Sequence, residues 1–321
     1  MYTAVMAIFF KCLSGLHAGS GAELGIVDLP IQRERHTDFP KVESSGVKGC
    51  LREAFRVHEK KFPSDFIKIA FGPEEERGAD TLHSGAVTFT DARILLFPVR
   101  SAKGVFAYTT CPLVLSRLNE DFKLAGIKTP VQKITVKDKA LTSDKRLMVS
   151  DKVEKVLLEE FTIEAEISGD VKILAKQIAE WLGKDDDEYL LKNLIVLPDD
   201  EFSDFVKNTT EIITRIRIDQ KTGTADGQGL FTEELLPAES VMYSMAMASS
   251  IFISDEERKC SETVDCAKKA NVREGEYLLD EIKDKMPAYL QMGGNATIGK
   301  GLVSVSICAE KEGRNSDKCK N

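Results

Sequence analysis

The sequence contains no long uninterrupted apolar run, and this absence bounds the class of protein that it encodes. No apolar stretch approaches the ~18 residues of a membrane-spanning helix. The opening MYTAVMAIFFKC lacks the basic start and the small-residue cleavage site of a signal peptide. With 321 residues, of which 42% are hydrophobic and 30% charged, the chain can bury a substantial core. We therefore expect a soluble, cytoplasmic protein that does not bind a membrane.

Cysteine and histidine are too few and too scattered for most metal-centred chemistry. The seven cysteines form no C-x-x-C pair, and none of the four histidines lies at metal-ligand spacing. The pattern argues against a zinc site, and a histidine-based catalytic triad has few candidate members. We expect reduced, mostly buried thiols.

The chain also lacks the net positive charge that is typical of proteins that bind nucleic acid by overall electrostatics. Its formal net charge is −8. One region departs from this balance, because residues 33–61 contain eight Lys or Arg against five Asp or Glu. Any nucleic-acid contact is therefore expected to use a local patch.

Apolar periodicity predicts a mixture of strands and helices. Residues 2–13 are typical of a strand buried on both faces. From Val47 the apolar residues recur at helical spacing, which predicts a helix with Ser44 or Ser45 as its N-cap. Further strands are predicted at 85–99 (ending at a sheet edge near Pro98), 193–198, 242–252 and 302–308, and further helices at 170–182 and 261–285.

Two longer segments complete this outline. Residues 209–236 alternate and contain a Gly-, Thr- and Asp-rich turn, which predicts a long β-hairpin with Arg215 and Arg217 on one face. Residues 118–160 are rich in Lys, Asp and Glu with weak periodicity, so we expect an insertion or a mobile lobe. Because no repeat or regular βαβ period is present, the pattern favours an α+β fold.

Two glycine clusters resemble nucleotide-binding motifs but lack their context. GSGAELG at 19–25 is followed by Val-Asp-Leu-Pro instead of a helix, which excludes a dinucleotide fingerprint. GNATIGKG at 294–301 has glycine where a P-loop has Ser or Thr, and LVSVSIC continues as a strand. Both clusters are either tight turns or loops that present backbone N–H groups to a phosphate.

Asp28 is a carboxylate among apolar neighbours, and burying it alone would be costly. It either caps a backbone amide at a turn, or it holds a Mg²⁺ ion or orients a 2′-hydroxyl beside a phosphate. Lys48, Arg52 and Arg56 form a helical stripe that is either a solvated face or an anion site near a helix N-terminus. His17, before the first glycine cluster, is either a packing residue or a contact to phosphate or base.

The ordered set of motifs resembles one family closely. The segments that carry the resemblance are HAGSGAELGIVDLPIQRERHTDFP, SSGVKGCLRE, DARILLFPVRSAKGVFAYTTCP, RIRIDQKTGTADGQGLFTEELLP and GGNATIGKGLV. Together they are similar to the backbone subunits of Cmr-type (type III-B) CRISPR effector complexes, members of the RAMP superfamily. The likeness covers most of the chain, and only about 115–190 carries little of it.

The resemblance implies an α+β fold with an RRM-like, ferredoxin-type palm, insertions and a protruding β-hairpin thumb. The chain would be a single RAMP domain over 1–321. Its core palm would span approximately 1–110 and 190–315, its insertion lobe approximately 115–190 and its thumb hairpin approximately 209–236. Copies of such a subunit stack along a guide RNA, and each thumb displaces one base pair of the guide–target duplex.

The resemblance also implies roles for individual residues. The aspartate of the GxxDLPIQRE motif, here Asp28, is tied to cleavage and to Mg²⁺ or another divalent cation, completed by RNA phosphates and water. Glu234 in FTEE corresponds to an acidic residue near the cut site. This chain reads VESSGVKG where the family reads roughly IPGSSLKG, although Lys48-Gly49 is intact. The implied RNA-binding positions are His17, Gly19, Gly21, Ser45, Lys48, Arg52, Gly299 and Lys300.

These inferences predict a repeated guide-RNA-binding subunit that cleaves complementary target RNA in antiviral defence. Its partners would be the guide RNA, single-stranded target RNA, other copies of itself and other subunits of the complex. An acidic protein can coat RNA if its positive groups line one groove, and guide pairing reads the target sequence in place of side chains. Two alternatives stay open: a structural RNA-coating subunit with the nuclease in a partner, and a stand-alone nucleotide-using enzyme.

Overall fold

The computed structural model describes most of the chain at the level of individual side chains. The described residues are 2–22, 25–73, 83–128, 130–150, 153–184, 187–219 and 221–308. Within these ranges, every helix is too short or too polar to cross a lipid bilayer.

Strands and helices are numbered here in chain order. The strands are β1 (Ala4–Cys12), β2 (Lys41–Val42), β3 (Val87–Phe89), β4 (Ala92–Arg100), β5 (Phe106–Thr110), β6 (Ala140–Thr142), β7 (Met148–Ser150), β8 (Val153–Leu158), β9 (Phe161–Ile167), β10 (Leu194–Val196), β11 (Glu211–Ile218), β12 (Ala225–Leu235), β13 (Val241–Ala248), β14 (Tyr289–Gln291) and β15 (Leu302–Cys308). The α-helices are α1 (Ser44–Arg56), α2 (Phe66–Phe71), α3 (Pro112–Leu124), α4 (Gly169–Trp181), α5 (Glu188–Asn193), α6 (Asp199–Asn208), α7 (Asp255–Cys260), α8 (Glu262–Ala270) and α9 (Glu274–Asp284). Short 3₁₀ helices lie at Glu59–Lys61, Lys145–Leu147 and Ala296–Ile298.

One large mixed sheet organises the fold, in the order β14-β15-β1-β13-β4-β5-β10-β6-β9-β8-β7. The strand β1 lies between β13 and β15 and is antiparallel to both, whereas β5–β10 and β6–β9 are parallel pairs. The strands β2 and β3 pair with β4 and β13. This sheet with its helices confirms the predicted α+β class, while the ferredoxin-like arrangement of the palm stays a prediction.

The core surrounds β1, whose last seven residues are all buried. Phe9 of β1 stacks on Trp181 of α4 at a centroid distance of 5.8 Å and meets Phe122 of α3 edge-on at 6.4 Å. Since both helices belong to the segment predicted to be an insertion lobe, part of that segment packs directly on the central strand. The division into palm and lobe stays a prediction.

The strands β11 and β12 form a separate two-stranded antiparallel hairpin, as the alternating pattern at 209–236 predicted. Its exposed apolar side chains are Ile212, Ile216, Ile218 and Leu230. Arg215 is half-buried, and the side chain of Arg217, predicted to share its face, lies outside the described residues. We call the β11–β12 pair the thumb hairpin.

Several local predictions were wrong. The residue before α1 is Glu43, whose side chain does not cap the helix, and the Ser44 N–H donates to the Asp91 carboxylate at 2.9 Å instead. The predicted helix 261–285 is broken into α8 and α9 because Asn271 adopts a left-handed conformation (φ 55°).

The predicted strand 85–99 is also divided, into β3 and β4. Pro98 lies in the half of β4 that pairs with β5, opposite Tyr108, and β4 itself lies inside the sheet instead of at its edge. Pro is tolerated there because the pairing of β4 with β13 ends at Leu96.

Mostly buried thiols were expected, but only Cys12 and Cys111 of the six described cysteines are buried. Those six are all free of disulfides, and Cys319 lies outside the described residues.

Candidate functional site

The segment 25–31, which we call the Asp28 loop, runs alongside β12 of the thumb hairpin. The Leu29 N–H donates to the Thr232 carbonyl at 3.1 Å, and the Glu234 N–H donates to the Leu29 carbonyl at 3.0 Å. These bonds make Leu29 a parallel bridge partner of Glu233. The Asp28 loop is therefore fixed to the hairpin by backbone geometry.

Asp28 is exposed and is held by one residue, Thr232. Its Oδ2 accepts from the Thr232 N–H at 2.7 Å and from the Thr232 Oγ1 at 2.8 Å, and its own N–H donates to that Oγ1 at 2.9 Å. The Thr232 N–H, and after it the hydroxyl, lower the pKa of Asp28 below its ordinary value of 3.8. The carboxylate is therefore ionised at neutral pH and faces solvent with a defined orientation.

The neighbours of Asp28 explain how an acidic residue fits in this apolar stretch. Ile26 is 96% exposed, Val27 and Leu29 are half-buried, and Ile31 is buried. Only the far end of the loop enters the core, so Asp28 is not buried among these side chains. Of the alternatives open from sequence, the structure shows the capping of a backbone amide, because Asp28 accepts from the Thr232 N–H. The role toward Mg²⁺ or a 2′-hydroxyl stays a prediction.

Glu234, in contrast to the exposed Asp28, is buried and enclosed by hydrogen-bond donors. It is 6% exposed, and its Oε1 accepts from Arg33 at 2.6 Å and from the Thr210 hydroxyl at 2.7 Å. Its Oε2 accepts from the Ile31 N–H at 3.0 Å. This geometry favours a role in fixing the base of the hairpin, and the catalytic role of Glu234 stays a prediction.

A second buried carboxylate, Glu233, points to the other face of β12 and was not singled out from the sequence. It is 3% exposed, accepts from the Asn295 side chain, and lies 2.6 Å from Arg215 Nε. Its Oε1 is 3.6 Å from His17 Nε2. The two consecutive acidic residues in FTEE could have indicated Glu233 from the sequence. Adjacent residues of a strand point to opposite faces, so only one of the two can face a given site.

His17 is where the two glycine loops meet. Its Nδ1 donates to the Glu234 carbonyl at 2.8 Å, and its own carbonyl accepts from the Gly294 N–H at 2.8 Å. A Cβ at Gly19 would lie 2.7 Å from His17 Nε2, and one at Gly293 (φ 75°) would lie 2.4 Å from the His17 carbonyl oxygen. Both positions therefore require glycine.

Other glycines of these loops border open space. Gly21 (φ 113°) and Gly299 (φ 76°) are exposed, and a Cβ at either would have no atom of the described residues within 4 Å. Lys300 follows and is half-buried. The second loop forms a 3₁₀ turn before β15, which agrees with the rejection of a P-loop.

The helix α1 carries the predicted basic stripe, but its members differ. Ser45 is exposed, and Lys48 and Arg52 are half-buried. Burial, and after it the charge of Arg52, lower the pKa of Lys48. Lys48 has no carboxylate within ion-pair distance in the part of the chain that the structure describes. Arg56 instead forms a two-pronged ion pair with Glu53, at 2.8 Å for each contact.

Gln32 and Arg33, inside the LPIQRE motif, join these parts. Gln32 Nε2 donates to the Gly19 carbonyl at 3.1 Å, and the Glu43 N–H before α1 donates to Gln32 Oε1 at 2.8 Å. Arg33 donates to the Val206 carbonyl at 3.0 Å in addition to Glu234. The motif therefore ties the first glycine loop, α1 and the hairpin together, which local sequence patterns do not reveal.

The described residues contain no cluster of three or more His, Cys, Asp or Glu side chains that could hold a metal ion by themselves. Asp28 offers one exposed, ionised carboxylate at this place. This fits a Mg²⁺ ion, which is commonly held by one or two carboxylates together with waters and substrate phosphates. Both bonds that Thr232 donates arrive at Oδ2, so Thr232 leaves Oδ1 unoccupied.

Comparisons with known proteins show which family the chain is similar to. A family model described as the RAMP superfamily matches residues 9–304. The chain is 39% identical over 300 residues to the CRISPR system Cmr endoribonuclease Cmr4 of Pyrococcus furiosus, covering 92% of each chain. It is 27% identical over 329 residues to the CRISPR system CMR subunit Cmr4 of Saccharolobus solfataricus, covering 95% of this chain and 96% of the other.

Solved structures show the same likeness. The crystal structure of oligomeric Cmr4 from Pyrococcus furiosus has a TM-score of 0.68 and 31% sequence identity, with coverage of 95% of this chain and 98% of the other. A subunit of the type III-B Cmr-beta complex bound to cognate target RNA shares the fold with a TM-score of 0.68 at 21% identity, with coverage of 95% and 98%. The chain therefore belongs to the RAMP superfamily and, within it, to the family of Cmr4 subunits.

Proposed function

We propose that this protein is the repeated backbone subunit of a type III-B CRISPR effector complex and that it cleaves target RNA with Asp28. It binds guide RNA, acts with other copies of itself and with other subunits, and serves in antiviral defence in the cytoplasm. The observation that carries the proposal is the exposed, ionised Asp28, held in one orientation beside a protruding hairpin. The Pyrococcus relative, at 39% identity over 92% of the chain, is described as an endoribonuclease.

RNA binding is supported by a cationic side chain and by two glycines that face open space in the part of the chain that the structure describes. Lys48 lies in the first turns of α1 without a carboxylate among the described residues, so a phosphate is a suitable partner for its ammonium group. Gly21 and Gly299 leave open space in which a sugar-phosphate backbone can approach the chain. These contacts read backbone shape, and the base pairs between guide and target supply sequence specificity.

The chemistry assigned to Asp28 is the positioning of groups for attack of a 2′-hydroxyl on the adjacent phosphate. In this attack the 2′-hydroxyl gives up its proton to water as the bond from the 2′ oxygen to phosphorus forms. The bond from phosphorus to the 5′ oxygen breaks, and water supplies a proton to that leaving oxygen. Asp28 Oδ1 is the atom assigned to orient the hydroxyl or to bind a divalent cation. A bound Mg²⁺ would stabilise the charge that develops on the phosphate.

The thumb hairpin supplies the geometry in this proposal. Its exposed side chains Ile212, Ile216 and Leu230 present an apolar surface beside Asp28. An apolar wedge of this kind can displace a base and leave the neighbouring phosphodiester in line for attack. The distortion of the target RNA then brings the 2′-hydroxyl in line with the phosphate, and Asp28 supplies the negative charge.

The test uses the complete complex assembled with guide RNA, Mg²⁺ and a labelled complementary target. Asp28→Ala and Asp28→Asn are expected to remove cleavage while target binding is retained. The matched control is Asp138→Asn, which changes an exposed aspartate of the predicted lobe. If cuts persist at the same spacing in the Asp28 variants, the subunit only coats the RNA and the nuclease lies in a partner.

A further inference from the structure

We infer that Thr232 is the positioning residue of the cleavage site and that it couples the carboxylate of Asp28 to the thumb hairpin. This inference rests on the proposed role of Asp28. It adds a residue that lies 204 positions away in sequence and that no motif of the Asp28 loop indicates.

The hydrogen bonds leave only one arrangement of the Thr232 hydroxyl. The Asp28 N–H can only donate, so Thr232 Oγ1 accepts from it at 2.9 Å. The hydroxyl hydrogen is then left for Asp28 Oδ2, at 2.8 Å, where the Thr232 N–H also donates at 2.7 Å. One side chain therefore fixes both the backbone and the carboxylate of Asp28.

The three hydrogen bonds between Asp28 and Thr232 distinguish the two carboxylate oxygens of Asp28. Asp28 is exposed, and an exposed carboxylate without fixed donors would rotate among several orientations. With two donors on Oδ2, Oδ1 is held facing outward. Catalytic groups that are placed in advance avoid the loss of rate that follows from small misplacements.

The position of Thr232 on the hairpin gives this contact a mechanical consequence. The next two residues, Glu233 and Glu234, are buried and anchored to the body of the protein by Asn295 and Arg33. Glu233 also pairs with Arg215 of β11, within the hairpin itself. The residue two positions before Thr232, Leu230, is 67% exposed. Thr232 therefore lies at the junction where the hairpin leaves the body.

The Asp28 loop also bonds to the backbone of Thr232 and Glu234, which joins it to β12 by an isolated parallel bridge at Leu29. A displacement of the hairpin by RNA is transmitted to Asp28 through these bonds. The cut is then made where the hairpin has distorted the target, because the distorting element and the carboxylate move together.

The experiment compares Thr232→Val, Thr232→Ser and Thr214→Val in the assembled complex. Valine keeps the β-branched shape but removes the hydroxyl, whereas serine keeps the hydroxyl. Thr214 is the direct cross-strand partner of Thr232 and is exposed, so Thr214→Val makes the same change at a matched position of the same hairpin. Single-turnover cleavage is measured together with the Kd for a target that carries 2′-deoxyribose at the cut sites.

We expect Thr232→Val to lower the single-turnover rate at saturating target about 10- to 100-fold, with the Kd unchanged within about twofold. Thr232→Ser is expected to stay within about threefold of the unchanged protein, and Thr214→Val to match it.

Three outcomes would overturn the inference: a normal rate for Thr232→Val, equal losses in Thr232→Val and Thr214→Val, or a serine variant as slow as the valine variant. Asp28→Asn, measured in parallel, distinguishes a failure of the proposed function from a failure of the role of Thr232. If Asp28→Asn cleaves normally, the proposed function fails. If Asp28→Asn is inactive while Thr232→Val is normal, only the role of Thr232 fails.

Discussion

The strand pairs β1–β13 and β11–β12 are both antiparallel, but they differ in how deeply their side chains are buried. All of β13 and the last seven residues of β1 are buried. The thumb hairpin instead exposes more than half of four apolar side chains, Ile212, Ile216, Ile218 and Leu230. Contiguous exposed apolar surface marks a place of contact with another molecule. The first pair therefore stabilises the fold, whereas the second presents a surface.

The same contrast separates the two carboxylates at the base of the hairpin. Glu234 is enclosed by Arg33, Thr210 and Ile31, while Asp28 faces solvent with one neighbouring residue to orient it. A buried carboxylate with its oxygens engaged holds structure, and an exposed one with a free oxygen can act on a ligand. The difference shows that residue type alone does not assign a role.

The largest effect is expected in the buried pair. Phe9→Ala should lower the free energy of unfolding by about 3–5 kcal/mol, because it leaves a cavity beneath Trp181 and Phe122. Urea unfolding followed by the fluorescence of the single tryptophan measures this loss. Phe9→Leu provides a milder variant, with a loss below about 1.5 kcal/mol, if the alanine variant does not fold. An equal loss in Ile216→Ala, on the hairpin, would contradict the comparison.

Glu234→Gln should destabilise the protein by about 1–3 kcal/mol, since it removes the charge that pairs with Arg33 at the base of the hairpin. Asp28→Asn should leave the free energy of unfolding nearly unchanged, because Asp28 is exposed. Thermal and urea unfolding of both variants test this ordering. A reversed order would show that Asp28, and not Glu234, is the structural carboxylate.

Asp91, a half-buried carboxylate that accepts from the first N–H of α1, offers a pH-dependent test outside the hairpin. Burial raises its pKa, but the bonds from Lys41 and from the Ser44 N–H outweigh that effect and lower it below the ordinary 3.8. A lowered folded-state pKa stabilises the protein above the unfolded value, and this stabilisation is lost as pH falls through the folded value. Asp91→Asn should therefore cost about 0.5–1 kcal/mol at pH 7 and progressively less below about pH 4. A difference that persists unchanged at low pH would contradict the assignment.

The smallest effect on stability is expected on the exposed face of the hairpin. Ile216→Ser combined with Leu230→Ser changes one cross-strand pair and should alter the free energy of unfolding by less than about 0.5 kcal/mol. Target cleavage by the assembled complex should nevertheless fall about fivefold or more, because fully burying an Ile or Leu side chain is worth roughly 1.5–3 kcal/mol. Val149→Ser, at a 40% exposed position away from the hairpin, is the control. Unchanged cleavage in the double variant would show that this surface contacts something other than target RNA.

Local patterns predicted the elements wherever a residue's surroundings followed from its neighbours in sequence. The buried strand β1, the helix α1 and the thumb hairpin were all found in this way. Predictions failed where a distant residue intervened, as when Asp91 capped α1 in place of Ser44 or Ser45. They also failed at Asn271, where a single left-handed residue divides one periodic segment into two helices.

The sequence by itself determined the family, the α+β class and the presence of Asp28 in a distinctive motif, because motif order, periodicity and residue type are local properties. Only the tertiary structure decided that Asp28 is exposed, that Glu234 is enclosed, and that Thr232 holds the carboxylate. The physical reason is that hydrogen bonds and burial depend on which residues meet in space. Asp28 and Thr232 are 204 residues apart, and they meet because the fold lays the Asp28 loop along β12.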